Sequence, residues 1–153
     1  MDEKKLLKYA VDYLSKYDSS KVNLVNVLKR KILRLKTTNY EKGKLINIIE
    51  SIIIKLEKNK FIDDNRYSST KILSLSNSGK SKNFIFNYLI KKGVNKTQIQ
   101  NNLNLMQQNN DNWELNSAKI FAKKKKLLEK DQNYEKNLAK MARAGFSYDI
   151  CKK

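Results

Sequence analysis

Histidine and proline are absent from this sequence, and its 153 residues include one cysteine and four glycines. Without histidine the chain cannot build a Ser-His-Asp or Cys-His nucleophile, or any zinc site that uses histidine. The single cysteine, Cys151, cannot form an intrachain disulfide or a thiolate metal site, and this favours a reducing compartment. An enzyme with this composition would have to rely on carboxylates, lysine or tyrosine.

We expect neither a secretion signal nor a membrane-spanning run in this chain. Its first residues, "MDEKKLLKYA", contain no apolar signal core. The most apolar segment, "LINIIESIIIKLEK", is interrupted by Asn47, Glu50 and Ser51, which makes it too short and too polar to span a bilayer. We therefore expect a cytoplasmic protein with no membrane partner.

Positive charge is abundant along the whole chain. Lysine and arginine number 33 against 15 acidic residues, giving a formal net charge of +18. Such an excess is typical of proteins that bind a polyanion, either nucleic acid or an assembly that contains it. Because the charge is spread over the length of the chain, it does not indicate a basic tail on a neutral domain.

Apolar residues recur at helical spacing almost throughout, and no strand-like alternation competes with them. The lack of proline and the few glycines also favour helices joined by short turns. The sequence predicts an all-α protein with helices at 3–17, 20–36, 41–59, 63–77, 80–92, 95–107, 112–128, 132–144 and 147–153.

Two joints between predicted helices share one pattern. In "LIKKGVN" a helix ends at Gly93 and Asn95 caps the next, whereas in "MARAGFS" a helix ends at Gly145 and Ser147 caps the next. Glycine after a helix can take the left-handed conformation that other residues resist. The recurrence predicts an internal repeat. We divide the chain into three-helix repeats at 1–60, 61–109 and 110–153, the last of them short.

The segment "LSNSGKSKNF" contains Gly79-Lys80-Ser81, the last three letters of a nucleotide-binding P-loop. The first glycine of that motif would stand at 74, where this chain has Ser74, and the preceding segment is helical in pattern rather than a strand. We predict a joint in which Gly79 ends one helix and Ser81 caps the next. Lys80 and Lys82 remain candidates to contact phosphate or carboxylate groups of a partner.

The adjacent carboxylates Asp63 and Asp64 have two interpretations. They could bind Mg²⁺ or act in acid–base chemistry, but adjacent helical residues point in different directions. Helix capping fits better, with Asp63 as the N-cap and Ile62 and Tyr67 at the two positions of a hydrophobic staple. Asp64 then lies in the first turn, where a negative charge suits the helix dipole.

Basic residues cluster towards the ends of predicted helices, where a cation also favours the dipole. A solvated face explains any single run, including the run at 123–126. Together, beside equivalent joints, they predict a surface that faces a polyanion. The candidate binding residues are Lys29, Arg30, Arg34, Lys80, Lys82, Lys91, Lys92, Lys123, Lys124, Lys140 and Arg143.

Residues in all three units follow an order and spacing found in a known family. In the first unit they are Ala10, Leu14, Ser20, Leu24 and Leu28. In the second they are Asp63, Asp64, Arg66, Tyr67, Gly79, Ile85, Leu89, Gly93 and Val94. In the third, "ARAGFSYDI" matches in part. Over nearly its whole length the chain thereby resembles the RecX family, the bacterial regulators of the RecA recombinase. It departs from the family's pattern at Asn23, Ser68, Ser81, Ala142 and Ala144.

The resemblance implies tandem three-helix repeats in an elongated, curved arrangement. It implies binding along the groove of a RecA–DNA filament, and we expect a monomer with single- or double-stranded DNA as a further partner. There it would modulate, and usually inhibit, ATP hydrolysis, coprotease activity and strand exchange in DNA repair and recombination. It implies no catalysis by this chain, and we expect no cofactor and no metal.

Two other functions remain open at this stage. Three-helix units also resemble helix-turn-helix modules, so the chain could bind DNA directly as a small repressor or nucleoid-type factor. The best base-reading candidates are then Gln98, Asn101 and Asn102. A helical adaptor for an acidic protein is the third possibility.

Overall fold

The structure is a computed structural model and describes residues 1–125, 127 and 134–152. Within these residues the chain forms helices and no strand, which confirms the all-α prediction. The helices are α1 (Glu3–Lys16), α2 (Lys21–Leu33), α3 (Asn39–Asn47), α4 (Ile49–Lys58), α5 (Asp64–Asn77), α6 (Lys82–Lys91), α7 (Lys96–Asn109), α8 (Trp113–Lys124), α9 (Tyr134–Arg143) and α10 (Tyr148–Lys152). The predicted helix limits at 128, 132 and 153 lie outside the described residues.

Side-chain caps determine where several helices begin. Asp63 precedes α5, and its carboxylate accepts hydrogen bonds from the backbone N–H groups of Asn65 (2.9 Å) and Arg66 (3.3 Å). Ile62 and Tyr67, the two staple positions, are only 1% and 3% exposed. The capping interpretation of this segment is therefore confirmed. Asn95 likewise caps α7 as predicted.

The described chain divides into two compact units. The first, residues 1–67 with 92–94, contains α1 to α4. Helix α2 packs against α1, α3 and α4, because its apolar face is buried along its length. The core of this unit consists of Leu6, Ala10, Leu24, Leu28, Ile32, Leu45, Ile49, Ile52, Leu56 and Ile62.

One helix of the first unit differs from prediction. The segment expected as a single helix over 41–59 is divided into α3 and α4 at Ile48. The Ile48 N–H donates to the carbonyl of Leu45, three residues earlier, so the α-helical pattern is interrupted there. The segment then ends at Lys60, whose φ of +62° is in the left-handed region. From the sequence we expected this conformation only at glycine.

The second compact unit comprises residues 68–91 with 95–153. Helix α6 packs against α7, and α10 packs against α8 and α9. Trp113, the first residue of α8, is buried, and Ala118, Met141 and Phe146 form a small core between the last helices. The division into repeats at 1–60, 61–109 and 110–153 stays a prediction.

Candidate functional site

The basic residues of α2 form the exposed cationic surface of the first unit. Lys29 and Arg30 lie in the last turns of the helix and Arg34 follows its last residue, and all three side chains are exposed. Within the described residues they have no hydrogen-bonding or ionic partner, whereas the neighbouring Lys31 places its Nζ 5.0 Å from the ring centre of Tyr9. These three cations are therefore available to an external anion.

The segment with the P-loop letters is a joint between two helices. It follows α5, not a strand, and Gly79 has a φ of +89°. The Ser81 hydroxyl accepts from the N–H of Phe84 (3.1 Å) and donates to the carbonyl of Ala144 (2.7 Å). Ser81 is thus the predicted cap of α6, and in addition it anchors a second, distant stretch of chain.

Two candidate lysines beside Ser81 are partly engaged within the protein. The Nζ of Lys80 lies 4.7 Å from the ring centre of Phe84, and the Lys80 carbonyl accepts from the hydroxyl of Ser117. The backbone N–H of Lys82 donates to the carboxylate of Glu114 at 2.8 Å, while the Lys82 side chain is exposed. Phe84 is 40% exposed, and its ring lies against the Lys80 ammonium instead of entering the core.

An equivalent joint begins α2 in the first unit. The Ser20 hydroxyl accepts from the N–H of Asn23 (3.2 Å) and donates to the carbonyl of Lys92 (2.5 Å). The N–H of Lys21 donates to the carboxylate of Asp64 at 2.8 Å. Asp64 therefore serves the start of α2 as well as its own helix, a role that sequence reasoning missed. The signal was an acidic residue at the start of both α5 and α8.

Burial and charge act in opposite directions on this carboxyl group. Burial raises the pKa of Asp64 above its ordinary value, and the hydrogen bond from Lys21 and the charge of Lys21 oppose that rise. The Lys21 ammonium also forms an ion pair with Glu57 at 2.8 Å, which raises the pKa of Lys21. Lys92 is half-buried in this joint, and Lys91, the last residue of α6, is exposed.

A basic pocket lies beside α8 and α9 in the second unit. It has a volume of about 470 Å³ and is lined by Phe121, Lys125, Lys140, Arg143 and Ala144. The structure thus brings two candidate residues, Lys140 and Arg143, together around one cavity.

The rest of the basic run at 123–126 has other surroundings. Lys123 is exposed, and the Lys124 Nζ donates to the carbonyl of Ser78 at 3.0 Å. Lys126 lies outside the described residues. The run is therefore not one uniform cationic face: Lys124 is held by the protein, whereas Lys125 lines the pocket.

One of the proposed base-reading side chains is not accessible. Asn102 is 6% exposed, because it lies on the buried face of α7 with Ile99 and Leu103. The expectation that Asn102 could reach base edges is therefore wrong. Asn101 is exposed and Gln98 is half-buried.

Two features of the described residues bear on metal binding and on thiol reactivity. No group of three or more Cys, Asp or Glu side chains is placed there to hold a metal ion. Burial raises the pKa of the Cys151 thiol, which keeps it in the less reactive protonated form. None of the described helices is long and apolar enough to cross a membrane.

Comparisons with known proteins give a sequence relative and two structural neighbours. Regulatory protein RecX of Myxococcus xanthus (strain DK1622) is 32% identical over 152 residues, covering 94% of this chain and 80% of that protein. The crystal structure of RecX from Lactobacillus salivarius superposes with a TM-score of 0.71 at 22% identity, covering 97% of this chain and 91% of the other. Another crystal structure, of regulatory protein RecX, gives 0.69 at 23% identity, covering 97% and 68%. No protein-family model matches the chain.

Proposed function

The chain belongs to the RecX family, and on that premise we propose that it regulates the RecA recombinase by binding RecA–DNA filaments. The observation that carries the proposal is the similarity to a regulatory protein over nearly the full length of the chain. We propose that binding inhibits ATP hydrolysis, coprotease activity and strand exchange in DNA repair and recombination. The chain would act as a monomer in the cytoplasm and catalyse nothing itself.

The charge distribution supports a multivalent mode of binding. Both compact units expose cations, at Lys29, Arg30 and Arg34 in the first and at Lys82, Lys91, Lys123, Lys140 and Arg143 in the second. A filament of recombinase on DNA is a repeating polyanion, so individually weak contacts add up through a high effective concentration. Binding should therefore weaken steeply as the salt concentration rises. Lys80, Lys92 and Lys124 remain candidates, and the side chain or the backbone carbonyl of each also makes a contact within the protein.

The direct test is a titration of the protein into RecA filaments assembled on single-stranded DNA with ATP, following ATP turnover. We expect inhibition at stoichiometric concentrations and low salt. Unchanged turnover under those conditions would refute the proposal.

A charge variant tests whether the exposed end of α2 takes part. We expect neutralising Lys29, Arg30 and Arg34 together to weaken filament binding markedly. The matched control neutralises Lys4, Lys8 and Lys16, three exposed lysines of α1 that are not candidates. If both triple variants weaken binding equally, the α2 residues act only through net charge.

Direct DNA binding is the second candidate, favoured by the net charge of +18. Its base-reading set is reduced by the burial of Asn102. A gel shift on naked duplex DNA separates the two functions, because tight, sequence-selective binding without recombinase would favour this one.

A further inference from the structure

We propose that the basic pocket beside α8 and α9 binds one nucleotide of single-stranded nucleic acid. Lys125, Lys140 and Arg143 would hold the phosphate, and the base would lie against Phe121. The inference deepens the proposed function and rests on it for the source of the strand, the DNA of the filament. It adds a defined site to what was otherwise a diffuse basic surface.

The first argument is the unbalanced charge of the pocket. Three cations line one cavity, and none of them has an acidic partner in the part of the chain that the structure describes. Like charges gathered around one cavity repel each other, so an anion that enters it is stabilised by all three at once. The neighbouring Lys124 lacks this availability, because its ammonium is bound to the Ser78 carbonyl.

The second argument is the aromatic wall. The Phe121 ring lies 5.7 Å from the ring of Phe146, tilted by 54°, and Phe146 is buried. The Phe121 backbone packs closely on Gly79, so the residue is held from two sides. A fixed aromatic ring beside cations is the combination that binds single strands, because bases stack on the ring while the cations follow the backbone.

Size and accessibility favour a nucleotide of a single strand over other anions. A cavity of about 470 Å³ is of the size that holds small organic ligands. In a duplex the bases are stacked on each other and have no free face for Phe121. An acidic peptide would use the cations but would gain nothing from the ring.

The test is fluorescence anisotropy of a labelled oligothymidylate of roughly a dozen nucleotides with the full chain. We expect Lys140→Gln combined with Arg143→Gln to weaken binding roughly tenfold and to lower the salt slope by about 0.7 for each lost phosphate contact. The control combines Lys119→Gln and Lys136→Gln, exposed residues of the same two helices that lie outside the pocket. It should weaken binding less than about twofold, because it removes charge without removing a contact.

A second variant tests the ring. Phe121→Leu keeps an apolar side chain against Phe146 but removes the stacking face, so we expect at least about fivefold weaker binding. Thermal unfolding of each variant, compared with that of the wild type, tests whether the fold is kept. The salt slope should stay unchanged in Phe121→Leu, which separates stacking from charge.

The outcomes are distinct. Equal losses in the pocket and control pairs would overturn the proposal, and so would binding of polyglutamate that is as tight and depends equally on Lys140 and Arg143. RecA ATP turnover, measured in parallel, tests the proposed function separately. If turnover is inhibited but the pocket and control pairs bind the oligonucleotide equally, the pocket assignment fails and the regulatory function stands. If oligonucleotide binding depends on the pocket residues but RecA ATP turnover is unaffected, the pocket assignment stands and the regulatory function fails.

Discussion

Two joints, one in each compact unit, use the same hydrogen bonds at the start of a helix. In both, a serine hydroxyl caps the helix and donates to the carbonyl of the residue that precedes a left-handed glycine. The backbone N–H of the residue after the serine donates to a carboxylate. The Ser20 joint consists of Ser20, Lys21, Asp64, Lys92 and Gly93. The Ser81 joint consists of Ser81, Lys82, Glu114, Ala144 and Gly145.

The side chains around these shared bonds differ. A Cβ on Gly93 would overlap the side chain of Val22, whereas a Cβ on Gly145 would meet the hydroxyl of Ser81. In the Ser81 joint the Asn83 amide also donates to the carbonyl of Gly145 at 3.1 Å. The two joints thus share the hydrogen bonds that join the serine and the carboxylate to the backbone. They differ in the neighbouring side chains, which pack as apolar groups in one joint and form a hydrogen bond in the other. The shared bonds are therefore the common requirement.

The largest expected effect comes from the glycine of the Ser20 joint. Gly93→Ala should lower the free energy of unfolding by about 3 kcal/mol, because it combines a left-handed backbone with an overlap on Val22. Gly145→Ala should cost less, about 2 kcal/mol, because a Cβ there would overlap only the Ser81 hydroxyl, the end of a short side chain that can shift more easily than the branched Val22. Urea denaturation measures both.

Gly43 provides the control for this comparison. It lies inside α3 and a Cβ there would meet nothing within 4 Å, so Gly43→Ala should stabilise the protein by about 0.5–1 kcal/mol.

Adding Val22→Ala to Gly93→Ala should restore part of the loss. Equal effects at Gly93 and Gly145, with no rescue, would contradict the difference in packing.

The capping serines should show the next largest effect. Both are fully buried, and each hydroxyl both accepts and donates. Ser20→Ala and Ser81→Ala should each cost about 2 kcal/mol, because a buried carbonyl and a helix N–H lose their partner together. Ser15→Ala is the control, since the Ser15 hydroxyl makes one exposed bond to the Asp12 carbonyl. A loss below about 0.5 kcal/mol at either cap would show that water replaces it.

The sequence predicted the local chemistry of these joints well. Ser81 was identified as a cap, and Gly93 and Gly145 as helix ends, because capping and left-handed glycine depend on a few neighbouring residues. The partners of Ser20 and Ser81, the carbonyls of Lys92 and Ala144, could not be predicted, because they come from distant stretches of chain. A backbone carbonyl carries no sequence signal of its own.

The same limit applies to the basic surface. Lysine runs predicted where cations occur, and Lys140 with Arg143 proved to share a pocket. Nothing in the run at 123–126 distinguishes Lys124, held by Ser78, from Lys125, which lines the pocket. The expectation for Asn102 was wrong because it rested on residue type alone. Asn102 stands three residues after Ile99 and next to Leu103, so helical spacing places it on the buried face of α7.

The pH dependence of stability tests one side of the comparison between Asp64 of the Ser20 joint and Glu114 of the Ser81 joint. Burial raises the pKa of Asp64, so the folded protein holds this proton more tightly than the unfolded chain. The contribution of Asp64 is therefore complete below the unfolded pKa of about 3.9 and is lost as the pH rises through the folded pKa. The unfolding free energy of the wild type minus that of Asp64→Asn should fall with rising pH across this window. A difference that grows with pH would mean that the bond from Lys21 outweighs burial.

The smallest effect is expected from the ion pair between Lys21 and Glu57. The two side chains are 39% and 50% exposed, so solvent and salt screen the pair, and a double-mutant cycle with Lys21→Met and Glu57→Gln should give about 0.5 kcal/mol or less. The pKa of Lys21 is raised, so the contribution is present below the ordinary lysine value of about 10.4 and is lost as the pH rises through the higher folded value. It should consequently be constant between neutral pH and mildly acidic conditions. Lys82→Met, at the equivalent place in the Ser81 joint, is the reference without an ionic partner among the described residues. A coupling above about 1 kcal/mol would mean that the Ser20 joint depends on its side-chain charges as well as on the backbone bonds that both joints share.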